Sequence, residues 1–351
     1  MKDLKYLAAF TIPLVACLSV YLRGYFVFLV PIYAFVFLPI CEILLPIDPS
    51  NMDNDTALNK SMNTLFDWLL YLNIPIVFGL LIASLWVVSS FELYHHEIIG
   101  LIISTGIVLA INGINVGHEL GHRLTTNERF LGKLLLLPSL YMHFYIEHNF
   151  GHHLHAATPE DPATAKYNQS VYSFWVTSVY GQYLSSWKIQ NRRLKQEKLS
   201  FFSIKNDMLW YTIIQFCYLW LVYYVFGYIG LLFAIVSACI SFLLLETVNY
   251  IEHYGLLRLR SDSGRYERVS KIHSWNSNHV LGRIVLYELT RHSDHHYKSA
   301  KKYQVLNCHE ESPQMPYGYP TSVVITLIPP LWFKIMNKRI PHKMKVARAN
   351  L

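Results

Sequence analysis

HELGHR at 118–123, EHNFGHHLH at 147–155, NYIEHYG at 249–255 and RHSDHH at 291–296 are the stretches from which the rest of the chain can be read. Nine of the chain's seventeen histidines stand in them at spacings suited to metal ligation: His118, His122, His148, His152, His153, His253, His292, His295 and His296. On an α-helix, positions i and i+4 share a face. That rule pairs His118 with His122, His148 with His152, and His292 with His296. His153 and His295 then point elsewhere, so the second and third groups offer ligands in two directions. Nine donors exceed the four to six of one first-row ion, and the count points to two metals. A set of satisfied core histidines is the bland alternative, and it leaves the clustering unexplained. His253 has no partner in its own motif. Its case rests on its place at the end of an apolar run.

Carboxylates accompany these motifs: Glu119, Glu147, Asp161, Glu246, Glu252, Glu288 and Asp294. A ligating histidine usually donates its other ring N–H to such a group, which fixes the tautomer. Glu119, Glu147, Asp161, Glu246, Glu252 and Asp294 are therefore candidates for orienting the ligands. His143 and His155 lie close to the second motif and read as polar packing, and His273 and His279 as local hydrogen bonders.

The surroundings are a membrane. The 351 residues are 53% hydrophobic and only 15% charged, against about 25% charged in a typical soluble domain. Apolar runs cover 6–22, 25–46, 66–91, 98–116, 208–225 and 229–250, each near the roughly 20 residues that cross a bilayer core. The expected fold is an all-α integral membrane protein with six transmembrane helices and a cytosolic histidine-rich cap. Residues 1–116 would hold helices one to four and 208–250 helices five and six. Residues 117–207 would form a cytosolic loop with the first two motifs, and 251–351 a cytosolic C-terminal region with the remaining ligands. The patches 130–146 and 321–336, broken by Pro138 and by Pro329-Pro330, read as re-entrant or interfacial. With both termini in the cytoplasm, Arg23 is the one outward residue among thirty Lys and Arg, and all the motifs fall on the cytosolic side. The expected location is the cytoplasmic (inner) membrane.

Several functions recede. The net charge of +7 has no nucleic-acid motif beside it, and none of the five cysteines forms a CxxC pair. HELGH is also HExxH, the zinc-protease pattern with Glu119 as base. A catalytic zinc takes three protein ligands, and six clustered histidines would be left over. A metal transporter would divide its ligands across the membrane.

The chain resembles the integral-membrane alkane monooxygenases of the fatty acid desaturase and hydroxylase superfamily. The likeness is carried by HELGHR, EHNFGHHLHAATPEDPATA (147–165), NYIEHYGL (249–256), WNSNHVLGRIVLYELTRHSDHH (275–296) and PYGYP (316–320). It implies that the nine histidines hold two irons in a non-haem diiron centre, which is the catalytic group. It also implies hydroxylation of the terminal methyl of medium-chain n-alkanes. That reaction consumes O₂, two electrons and two protons, and leaves one oxygen in the alcohol and one in water. The chain has no dinucleotide fingerprint, so electrons come from a partner. The resemblance implies rubredoxin, itself reduced by a NADH-dependent rubredoxin reductase. Basic residues Arg258, Arg260, Arg265, Arg268, Lys298, Lys301 and Lys302 are candidates for steering that acidic partner, or for anchoring the cap to anionic lipid. A xylene-type monooxygenase and a fatty acid desaturase or hydroxylase are the enzymatic alternatives. Glu42 stands where the family usually has Asp. An apolar channel between helices must select the alkane, and Trp68, Phe78, Trp86 and Phe91 are the bulky residues proposed to set its depth.

Overall fold

The computed structural model describes residues 2–261 and 263–349. Regular structure among them is helical, with isolated β-bridges and no strand. Five helices are long and apolar enough to cross a membrane: α1 (Asp3–Leu22), α2 (Gly24–Leu44), α3 (Leu65–Ser90), α4 (His95–Gly121) and α8 (Asp207–His253). Between and after them come α5 (Thr126–Leu136), α6 (144–155), α7 (Val171–Gln196), α9 (Val280–Val285), α10 (His292–Tyr297), α11 (Tyr319–Thr326) and α12 (Pro329–Met336).

The expected break at Arg23-Gly24 is a tight reversal, with both residues at positive φ, 55° and 54°. Tyr33 of α2 reaches back to Thr11 of α1 at 2.9 Å. Helix α8 has 47 residues, about 70 Å if straight. It is not straight. Gly227 sits at φ 67°, ψ −167°, outside the helical region. Residues from both ends meet the same short segment: Gln215 accepts from the Met142 N–H at 3.2 Å, and Ser241 touches Ser139 at 2.9 Å. The chain therefore folds back at Gly227, a position that glycine fills without a Cβ penalty.

Small residues let these helices approach closely, as lipid-embedded helices require. A Cβ on Gly100 of α4 would fall 2.2 Å from Val27 of α2, and one on Gly106 would fall 2.6 Å from Ile240 of α8. Polar bonds add direction. Asn112 donates to Asn73 at 2.8 Å, and Asn73 donates to the Tyr287 hydroxyl at 2.9 Å, tying α4 and α3 to the cap.

Patch 130–146 does not form one long helix. Helix α5 has 11 residues, about 16 Å, too short to cross a bilayer. Turns follow and lead into α6. The 321–336 region is two short helices, α11 and α12. Helix α7, 26 residues inside the expected loop, has no counterpart among the sequence expectations. Its buried row includes Ser178, Gln182, Ser186 and Gln190, while Tyr172, Val176, Tyr180 and Tyr183 face outward. The polar row is inside because Glu246 of α8 accepts from Ser178 at 2.5 Å and from Gln182 at 2.8 Å.

An ion network joins the N-terminus to the cap. Buried Glu288 accepts from Arg283 at 2.6 Å and from the Tyr6 hydroxyl at 2.7 Å, and pairs with Lys5 at 3.4 Å. Burial alone would raise the Glu288 pKa, but the Arg283 guanidinium beside it holds the carboxyl below its ordinary range. A depressed carboxylate stabilises the fold above its unfolded pKa, and that contribution is lost as pH falls through the folded pKa. Glu288→Gln is expected to cost on the order of 3 kcal/mol at pH 7. It should also flatten the fall of the thermal midpoint between about pH 5 and pH 3. Thermal unfolding in detergent across that range checks both. An unchanged midpoint at pH 7 would mean that the pair contributes nothing.

Candidate metal centre

Four elements deliver the nine histidines. His118 stands on the last turns of α4, and His122 caps its end. Their placement depends on bare backbone. Gly117 and Gly121 face Gly132 of α5, where a Cβ would fall 2.8 Å from the Gly117 carbonyl oxygen and 3.0 Å from the Gly121 nitrogen. Helix α6 brings His148, His152 and His153, the end of α8 brings His253, and α10 brings His292, His295 and His296.

The structure gathers them into two groups: His118, His122, His148, His153 and His295, then His152, His253, His292 and His296. Within each group the ligand atoms lie within 4.8 Å of one another. The two groups adjoin, with the His153 and His296 ring centroids 4.5 Å apart. One expectation needs correction. His148 shares its group with His153, not with His152. Residues His148–His152 form a π-helical segment, whose wider turn brings i and i+5 into line and turns His152 the other way.

Nε2 atoms converge in both groups. His118 and His295 approach to 3.0 Å, His122 and His148 to 3.1 Å, His148 and His153 to 3.1 Å. In the second group His292 and His296 approach to 2.9 Å, His152 and His296 to 3.2 Å, His253 and His292 to 3.2 Å. Two nitrogens about 2.1 Å from one ion and at right angles are about 3.0 Å apart. The donor sets therefore fit one first-row ion each. The tautomers agree. His253 Nδ1 lies 3.2 Å from the His273 carbonyl, which can only accept, so Nδ1 carries the proton and Nε2 turns its lone pair inward. His152 Nδ1 meets Asp161 at 2.9 Å, and Asp161 is itself held by Thr164 at 2.6 Å. Burial, then the neighbouring imidazoles, hold His122, His148, His153, His292, His295 and His296 well below the usual histidine range. They are neutral, the form that binds metal.

The carboxylates divide. Asp161 and Glu252 touch imidazoles, Glu252 at 3.3 Å from His292 Nε2. Glu119 pairs with Arg123 at 3.1 Å and accepts from the Tyr303 N–H at 3.1 Å. Glu246 holds α7 and Tyr141. Asp294 accepts from Lys301, His309 and the Asn307 N–H, bracing the segment after α10. Glu147 packs on Gly151 and bonds to no imidazole among the described residues. Three contributors carried no signal in the sequence: the His273 carbonyl, the Tyr319 hydroxyl that donates to Glu252 at 3.0 Å, and Phe144, stacked on His148 at 4.7 Å.

An apolar slot reaches this centre. A cavity of about 490 Å³ is lined by His118, His148, His292, Glu252, Asn115 and Asn249, with Phe144 and leucines. A second, of about 500 Å³, runs between Phe35, Leu38, Leu281, Tyr319 and Val323. Ile111, Leu244, Val248 and Leu286 line both and form the neck between them. Trp68, Phe78, Trp86 and Phe91 line neither. Trp68, Trp86 and Phe91 are exposed on the outer face of the helices, where lipid and not substrate is their neighbour.

Gly132→Ala is expected to lever α5 from α4 at an overpacking cost of about 1–3 kcal/mol, lowering bound metal per chain with every histidine intact. Elemental analysis checks this, and full metal retention would show that the contact is slack.

The sequence model of the fatty acid desaturase family matches residues 94–322. Alkane 1-monooxygenase 1 of Pseudomonas aeruginosa is 38% identical over 304 residues, 86% of this chain and 80% of that protein. Alkane 1-monooxygenase 2 of Alcanivorax borkumensis is 37% identical over 319 residues, 88% of this chain and 81% of that protein. The chain belongs to the integral-membrane alkane monooxygenases of the fatty acid desaturase superfamily.

Proposed function

We propose that the enzyme hydroxylates the terminal methyl of medium-chain n-alkanes to primary alcohols, using O₂ and electrons from rubredoxin reduced by a NADH-dependent reductase. The observation that carries this reading is an apolar slot that ends on two adjoining histidine groups. His118, His122, His148, His153 and His295 would hold one iron, and His152, His253, His292 and His296 the other. The two irons supply the O₂-activating chemistry.

The protein's part is placement. An alkane offers no polar handle, so the neck at Ile111, Leu244, Val248 and Leu286 must align it and keep water out. A slot of this kind discriminates by about 1–3 kcal/mol per methylene, so a range of lengths is accepted. Glu252, beside His292 and bonded to Tyr319, is the carboxyl placed to exchange protons at the inner cavity. Six crossings follow if the two arms of α8 each span, with both termini and the histidines in the cytoplasm.

The slot lining contains no Lys or Arg among the described residues to receive a fatty acid carboxylate. Glu119, engaged by Arg123, does not line the slot, which disfavours a zinc-protease base. The two groups adjoin, which disfavours a transporter with ligands on opposite membrane faces.

Protein purified after growth with adequate iron and zinc should contain two irons per chain, and His295→Ala should lose them. One zinc with little iron would overturn the reading. Octane with rubredoxin should give 1-octanol. A preference for xylene under the same conditions would reassign the substrate to alkyl-aromatics. Val248→Phe, which fills the neck, should keep its iron yet cut octane turnover by about a hundredfold, the scale of an ångström-level misplacement. Wild-type turnover in that variant would show that octane takes another route.

A further inference from the structure

The basic residues of the C-terminal region are not equally available. Arg258 is buried, donating to the Glu267 carbonyl at 2.7 Å and to the Leu154 carbonyl at 2.8 Å. Lys301 is held by Asp294 at 2.6 Å, and Lys302 by Asp67 at 2.9 Å. These three serve the fold. Lys298 is exposed and forms no ion pair among the described residues. Its Nζ lies 5.9 Å from the centre of the Tyr297 ring, and Lys271 Nζ lies 5.0 Å from the same ring.

Tyr297 is 50% exposed, and the residue before it is His296, 7% exposed. His296 Nε2 stands 2.9 Å from that of His292 and 3.2 Å from that of His152. An outward aromatic ring framed by two ammonium groups is thus one residue from a histidine of the buried centre. Tyr is enriched among the residues that dominate interfaces, and flanking charge selects the partner by sign. One carboxylate opposes that sign: Glu311, itself half exposed, pairs with Lys271 at 3.1 Å.

We propose that Tyr297, with Lys271 and Lys298, is the seat at which an acidic one-electron carrier protein docks to pass electrons toward His296. This rests on the oxygenase reading above. Each docked carrier is oxidised by one electron, so two dockings supply the two electrons of one turnover. With O₂ and two protons, one oxygen enters the alcohol and the other leaves as water.

The test uses the full-length holoenzyme in zwitterionic nanodiscs, purified rubredoxin as the probe, and the variants Tyr297→Leu, Lys298→Gln and Glu311→Gln. Binding is measured by biolayer interferometry, and octane turnover with rubredoxin and, separately, with reduced methyl viologen. Tyr297→Leu and Lys298→Gln should weaken binding about fivefold or more, the scale of a contributing interface residue. Glu311→Gln should tighten it about two- to fourfold at low salt, an effect erased near 0.5 M salt. A merely structural role for the patch would not produce that tightening. Turnover with methyl viologen should stay unchanged in all three variants. Unaltered rubredoxin affinity across the set overturns the proposal, as does an equal loss of turnover with both reductants. If the wild type hydroxylates octane with neither reductant, it is the oxygenase reading that fails.

Discussion

Nine imidazoles turn ring nitrogens toward one another inside the protein, and the rest of the molecule answers to that arrangement. Lone pairs facing each other at 2.9–3.2 Å satisfy nothing by themselves. Only cations between them do, which makes ion binding and local folding one process. The groups behind the rings follow from this. The carbonyl of His273 and the carboxylate of Asp161 hold the outer nitrogens of His253 and His152, leaving the inner ones as donors. Glycines 117, 121 and 132 bring two backbones together so that His118 and His122 arrive at the right depth.

The same economy of polar groups governs the membrane part. Lipid rewards apolar surfaces outside, so polarity collects where helices meet. Helix α7 is the clearest case, with serines and glutamines inward on Glu246 and tyrosines outward. Glu246 thereby acts as a clamp between α7, the Tyr141 turn and α8, and Glu252, one helical turn and a half further on, faces the slot. Two carboxylates on one helix end in different employment because one meets hydroxyls and amides and the other meets an imidazole and a tyrosine.

Much of this was legible in the sequence. Apolar length marked the long helices, and the turn at Gly227 lay where two runs were seen to divide. The histidines that the motifs singled out are the ones that come together. What stayed hidden has physical reasons. Helix α7 was missed because its periodic row, Phe174, Ser178, Gln182, Ser186, Gln190, is largely polar, and a search for apolar periodicity passes over it. The partner of His148 was misread because the i, i+4 rule assumes α-helical turns. The slot lining escaped because bulk does not say which way a side chain points: Trp68 and Trp86 face lipid, while Ile111 and Val248 shape the neck. The carboxylates were placed beside their motifs by sequence distance, which for Glu119 says nothing of the Arg123 that claims it.

Three π-helical segments, Tyr33–Phe37, Leu109–Ile114 and His148–His152, each contribute to the slot or the centre through Phe35, Ile111 and His148. A π turn is in effect an α turn with one residue too many. Removing one residue from Leu109–Ile114 would restore ordinary winding and rotate all that follows by about 100°. Hydropathy and every histidine would survive, yet His118 and His122 would point away from their partners. For this protein the most damaging genetic lesion is therefore a silent-looking one: an in-frame loss of a single aliphatic codon, far from any motif that a reader of the gene would think to inspect.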